Sequence, residues 1–280
     1  MTSTLQKILV SAKLISLPEI YLKLKGLIDD PESTMAEVAL LVGRDPGMSV
    51  RFLRLVNSPL NRRSNKIETV AHAVSLLGSQ QVHDIVLSAS IAKAFDGMLS
   101  DVMNMKQFWQ RSIYCAVTAR QLARQCDEME TERLFVIGLL HDIGHLFMYL
   151  EVPEQAQAAI LKARDEQRPL YQVERDLLGF DYAYLAGQVM KDWDLPKSIQ
   201  VPVTCHPEPS QANHFVEEAA LLHLASLLVQ ADLDTGVFGE GPYAVNPAAW
   251  SATGLTLEQC LNVQKAAADQ YLEVSKSILG

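Results

Sequence analysis

Ser79-Gln80-Gln81-Val82-His83-Asp84-Ile85-Val86-Leu87-Ser88-Ala89 sets the period of the chain. Val82, Ile85, Val86 and Ala89 fall at i, i+3, i+4 and i+7. That spacing lines one side of a helix and would scatter over both faces of a strand. Gly78 closes the preceding helix, and Ser79 stands where it can cap this one.

The same signals repeat outward in both directions. Pro18 can open a helix at its first position, where a missing N–H costs nothing. Thr34 with Glu37 makes a capping box. Asp45-Pro46 starts another helix, a cap followed by a preset φ, and Asn57-Ser58-Pro59 stops it. Toward the C-terminus, helices are expected over Asn104 to Gln125, Thr131 to Tyr149, Pro153 to Glu166, Tyr171 to Leu178 and Asp181 to Trp193. Pro196 opens a further short helix. Val216, Ala219, Ala220, His223 and Leu227 form the buried stripe of a late one. Thr256 with Gln259 caps a C-terminal helix. Loops are expected at Asp96 to Asp101, His206 to Asn213 and the Gly- and Pro-rich Thr235 to Asn246. No strand-like alternation and no fixed-period repeat interrupts this pattern. The chain therefore reads as all-α, with two packed helical lobes. The expected division is an N-terminal lobe over 1–100, a helical core lobe over 101–232, and a loop with a C-terminal helix over 233–280 packed on that core.

Composition narrows the function. The 280 residues are 49% hydrophobic and 20% charged, enough apolar mass for a large core and too little charge for a disordered chain. A net charge of -9 disfavours nucleic acid as a partner, since non-specific binding needs a cationic field. Arg62, Arg63 and Lys66 form the only short basic cluster and read as a solvated turn. Cys115, Cys126, Cys205 and Cys260 form no C-x-x-C pair, which fits a reducing compartment, and Cys115 and Cys205 read as core thiols. Met1 to Lys13 has no signal-peptide pattern, and Ala219 to Val229 is too short to span a membrane. A cytoplasmic protein with no membrane association is expected.

One segment carries chemistry: Gly138-Leu139-Leu140-His141-Asp142-Ile143-Gly144-His145. The His141-Asp142 pair offers an imidazole nitrogen and a carboxylate oxygen, which suit Zn, Fe, Mn or Mg. A metal held there could make hydroxide for attack on a phosphate ester. Two ligands alone cannot hold a catalytic ion. The plainer reading is a hydrogen-bonded helix end, with Gly144 making the turn.

The chain resembles the HDOD family, a branch of the HD-domain superfamily of metal-dependent phosphohydrolases. The resemblance runs from about Leu14 to Pro209. It is carried by Leu17-Pro18, Asp45-Pro46-Gly47-Met48, Arg54-Leu55-Val56-Asn57-Ser58 and Ala73 to Gly78 in the first lobe. In the second lobe it is carried by Phe108-Trp109, Phe135 to Gly144, Leu178-Gly179-Phe180-Asp181 and Trp193-Asp194-Leu195-Pro196. It implies an all-α fold, an HD-like second lobe and a regulatory role in bacterial signalling, with no agreed enzymatic activity.

The chain departs from the metal pattern that the resemblance implies. The histidine two residues after the tryptophan is Arg111, the histidine of Gly-Phe-Asp-His is Tyr182, and the late aspartate is Ser226. His141 and Asp142 alone would hold any metal. We expect a vestigial site of His141, Asp142, Arg111, Tyr182 and Ser226, with His145, His206 and Asp181 in its cleft. Arg111 is expected to pair directly with Asp142, a guanidinium standing in for the metal charge. His206 reads as a capped helix end, and His72, His83, His214 and His223 as structural or exposed. No cofactor is expected. The first functional reading is a non-catalytic signalling module that binds a protein partner, or a nucleotide or other small ligand, in the cleft between lobes. The alternatives are a phosphohydrolase using Mn, Fe, Zn or Mg, and a nucleotide-binding domain without turnover.

Overall fold

This computed structural model describes residues 3–13, 17–58, 66–95, 102–126 and 130–279. Leu14, Pro59, Arg62, Arg63 and the loop expected at 96–101 lie outside them. Among the described residues there is no strand. The first helices are α1 (Ser3–Ala12), α2 (Glu19–Asp29), α3 (Met35–Gly43), α4 (Pro46–Val56), α5 (Val70–Leu77) and α6 (Ser79–Ala94). They are followed by α7 (Met105–Ala123), α8 (Thr131–Leu140), α9 (Ile143–Glu151), α10 (Pro153–Glu166) and α11 (Leu170–Leu178). The last are α12 (Tyr182–Asp192), α13 (Lys197–Cys205), α14 (Val216–Leu233), α15 (Pro247–Thr253) and α16 (Leu257–Leu279). The all-α expectation holds.

The contacts group the chain into two units, 16–98 with 269–280, and Met1–Ile15 with Leu99–Ala268. The expected boundaries differ at both ends: residues 269–280 group with 16–98 rather than with the core lobe, and Met1–Ile15 groups with Leu99–Ala268. The expected N-terminal lobe includes α1, but α1 packs on α9 and α12. Lys7 Nζ donates to the Glu151 carbonyl at 2.9 Å, and Ser11 Oγ donates to the Glu151 carboxylate. A cation on the last carbonyls of α9 is favoured by the helix dipole.

In the unit built on residues 16–98, Val82, Ile85, Val86 and Ala89 are all buried, as their spacing predicts. The capping box at Thr34 and Glu37 forms, and Asp45 accepts from the Met48 N–H at 3.0 Å. Each such cap is worth about 1 kcal/mol. The Asn57 side chain bonds the Leu53 carbonyl and both backbone groups of Ile67, which makes it the clamp of its turn. His83 is buried. Its Nδ1–H donates to Asp84 and its Nε2 accepts from the Tyr21 hydroxyl, each at 2.9 Å. Those bonds tie α2 to α6 through the core.

In the other unit, α7 packs on α8 and α14 with most of its residues buried. A Cβ on Gly138 would lie 2.5 Å from the Ala116 Cα, so a glycine is what lets α7 and α8 cross so closely. The single helix expected over Thr131 to Tyr149 is broken. Helix α8 ends at Leu140 and α9 begins at Ile143, with His141 and Asp142 in the turn between. Gly144 does not make that turn. It lies inside α9, where a Cβ would meet the Tyr182 carbonyl oxygen at 1.9 Å. Thr131–Glu151 is, by composition, long and apolar enough to cross a membrane, but 83% of its apolar window is buried within the protein. It serves as core. All four cysteines are free; Cys115 is buried as expected, whereas Cys205 is only half-buried.

Candidate functional site

The break between α8 and α9 builds the site. His141 takes the C-cap position of α8 in helical geometry, and its Nδ1–H donates to the Gly138 carbonyl at 2.7 Å. That bond leaves Nε2 as a lone-pair acceptor. Burial holds this imidazole below its ordinary pKa, with the Asp142 carboxylate opposing.

Asp142 does not cap α9 with its side chain. Its carboxylate instead takes the Nδ1–H of His145, one turn on. The other ring nitrogen of His145 donates to Glu174 at 2.8 Å. The second Glu174 oxygen accepts the Tyr182 N–H at 3.0 Å. The His145 ring lies between two tyrosines, with centroids 4.0 Å from Tyr182 and 5.4 Å from Tyr149, and both pairs are stacked. A carboxylate on each nitrogen requires a proton on each, so His145 is an imidazolium. Burial opposes that charge, but Tyr149, Asp142 and Glu174 outweigh it and hold the pKa well above the ordinary imidazole value. Burial likewise opposes ionisation of Asp142, yet His145, through charge and hydrogen bond, holds its carboxyl below the usual carboxylate range.

On the facing side, His206 caps α13. Its Nδ1–H donates to the Val203 carbonyl at 2.7 Å, and its Nε2 accepts from the Tyr182 hydroxyl at 2.8 Å. His223 on α14 donates to the His206 carbonyl at 2.8 Å and accepts from the Asn246 N–H at 3.0 Å. Both rings are neutral. Burial pushes His206 well below its ordinary value and His223 down to about 4. Ser226 donates to the His223 carbonyl at 3.0 Å.

The four histidines, Asp142, Tyr182 and Ser226 line one cavity of about 790 Å³, together with Arg111, Gln230, Asp234 and Tyr243. The structure brings His141, Asp142, Arg111, Tyr182, Ser226, His145 and His206 to its wall. Asp181 is the exception: it is buried as the N-cap of α12, accepting from the Tyr184 N–H at 2.7 Å and from Arg175 at 2.6 Å. The direct Arg111–Asp142 pair does not form. Among the described residues, the ion pair of Asp142 is made to His145. Arg111 acts at longer range: burial opposes its charge, but Asp142 and then Asp234 outweigh it and raise its pKa. Sequence reasoning missed Glu174 and the role of His223. Glu174 is one of several acids on an amphipathic helix, and nothing in its spacing marks it as a histidine partner.

The donor set does not fit a metal ion. One Asp142 oxygen is taken by an imidazolium and a guanidinium shares the wall, although His141 keeps its Nε2 lone pair. Among the described residues, no three His, Cys, Asp or Glu side chains are grouped to hold an ion. A catalytic metal normally needs three protein ligands.

The HDOD domain model matches residues 14–209 of the chain. An uncharacterised protein of Treponema pallidum (strain Nichols) is 19% identical over 191 residues, 68% of this chain and 37% of that protein. The chain thus spans well under half of the curated relative it matches. The crystal structure of a candidate phosphohydrolase from Shewanella amazonensis SB2B is similar with a TM-score of 0.75 and 22% identity, over 99% of this chain and 98% of that one. A candidate signal transduction protein from Marinobacter aquaeolei VT8 gives 0.69 and 20%, over 94% of this chain and 59% of that one. At these identities the likeness concerns the fold.

Proposed function

Starting from the fact that this chain belongs to the HDOD domain family, we propose that it is a non-catalytic signalling module of the bacterial cytoplasm. It works by binding at the cavity above His141 and Asp142, and it passes the bound state to a protein partner. The observation that carries this reading is the His145 cage: a protein cation occupies the Asp142 carboxylate that a metal would need. The likeness to a candidate signal transduction protein and the four free cysteines support the same view. The binding site we assign is the cavity itself, whose walls come from residues 111–247, rather than a cleft between lobes.

The hydrolase reading asks His141 and Asp142 to hold an ion between them with little help. Metal stoichiometry decides between the two. Wild-type protein and His141→Ala, purified without an affinity tag, are incubated with Mn, Fe or Zn and analysed by elemental mass spectrometry. We expect no metal above background in either. Near-stoichiometric metal in the wild type, lost in the variant, overturns the proposal.

A further inference from the structure

The chain carries a net charge of -9, yet the cavity wall holds Arg111, Arg164 and Arg168 against Asp142 and Asp234. Asp142 is answered by His145, and Arg168 is answered outside the cavity by Glu166 and Asp176. Asp234 accepts from the Tyr243 hydroxyl at 3.1 Å. What is left over is the hydrogen-bonding capacity of Arg111 and Arg164. Neither Arg111 nor Arg164 makes an ion pair or a side-chain hydrogen bond among the described residues. Arg111 is half-buried on α7 and Arg164 is exposed on α10, so one cavity presents unpaired guanidinium groups from two elements. A guanidinium has five donors and no acceptor, and a half-buried one without a partner leaves hydrogen-bonding capacity unused.

The rest of the wall limits the size and character of an occupant. Ile160, Ala163 and Leu170 give it an apolar side. The volume of about 790 Å³ is that of a site for an organic molecule rather than for a lone inorganic ion. We propose that the cavity binds a small organic anion without a metal, its acid group on Arg111 and Arg164 and its apolar body against Ile160, Ala163 and Leu170. Phosphate and carboxylate each present two oxygens to the planar, bidentate fork of a guanidinium. This inference rests on the metal-free reading above.

The test is titration calorimetry on the full chain, stripped of metal by chelation. The probes are the nucleoside monophosphates, a set of aromatic carboxylates, and inorganic phosphate as the anion without a body. We expect one organic class to bind one to one and inorganic phosphate to bind more weakly; which class binds identifies the acid group. Arg111→Gln and Arg164→Gln are each expected to weaken binding about tenfold or more, 1.4 kcal/mol per tenfold. Arg164 is exposed, so its variant keeps the test informative if Arg111→Gln fails to fold. Metal-free protein that binds none of the organic anions, or binds them equally in both variants, overturns this inference alone. Binding that appears only after Mn is added overturns the metal-free reading beneath it.

Discussion

The two walls of the cavity treat the same side chain in opposite ways. On the α9 and α11 side, His145 is buried and charged. On the α13 and α14 side, His206 and His223 are buried and neutral. Burial is nearly equal, so burial does not decide the outcome. The partners do. His145 has a carboxylate at each nitrogen. His206 and His223 each have a carbonyl at Nδ1 and a donor at Nε2, the Tyr182 hydroxyl and the Asn246 N–H. A ring that must accept at one nitrogen cannot hold a proton there.

Removing a partner from the charged wall has the largest expected effect. Glu174→Ala leaves a buried imidazolium with one carboxylate and strips the Tyr182 N–H of its acceptor. Breaking a buried pair from one side costs about 3–5 kcal/mol. Urea denaturation at pH 7 measures it, and Glu174→Gln, which keeps an acceptor, is expected to lose less. A Glu174→Ala protein within about 0.5 kcal/mol of wild type, the range of ordinary surface changes, would show that His145 is not held as a cation.

The neutral wall is broken by acid. The His223 pKa is about 4 in the folded protein, because burial disfavours its charged form. Unfolded, it takes up a proton near the ordinary imidazole value of about 6.5. Between those values the unfolded state binds the proton and the folded state does not, so stability falls as pH drops from about 6.5 toward 4. The shift corresponds to roughly 3 kcal/mol at most. His145 has the opposite sign: its raised pKa gives stability that is complete below the ordinary imidazole value and lost as pH rises through its folded pKa. Denaturation at pH 7.5 and pH 4.5 separates these effects. His223→Gln is expected to lose part of the acid sensitivity of the wild type, and an unchanged pH slope in that variant would remove His223 from the account.

The fold was far more legible in the sequence than the site. Helical spacing and capping residues place α3, α4, α6 and α16 because those signals act within a turn or two of chain. A helix end at His141 and Asp142 is legible as the plainer reading of that pair, but its turn is not: the apolar pattern runs on through α9, and Gly144, which draws the eye as the turn, lies inside that helix. The resemblance to a metal-binding family pointed to Asp142, and the replacement of its partners pointed to a cation in the metal's place. It named the wrong cation. Arg111 was the visible candidate, whereas His145 needs Glu174, 29 residues away, to complete its cage. A pairing across that separation leaves no trace in local spacing. Asp181 was misread for the converse reason: an N-cap aspartate beside a family motif looks the same as a cleft carboxylate until its Tyr184 N–H bond is seen.

Tyr182 belongs to both walls, and the smallest change tests whether they are linked. Its ring stacks on His145, and its hydroxyl donates to His206. Tyr182→Phe removes only the hydroxyl. The stack and the Glu174 bond to the residue 182 N–H do not involve that oxygen, so the charged wall is expected to stand. The neutral wall loses one hydrogen bond, about 1 kcal/mol, and leaves the His206 Nε2 without its donor. A ring nitrogen freed in this way can accept a proton, so the His206 imidazole pKa should rise from its depressed position while that of His145 stays put. Proton-detected titration of the imidazole resonances reads both in one sample. A His145 resonance that moves together with that of His206 would mean that the two walls titrate as one system, and the contrast between them would give way to a single coupled network.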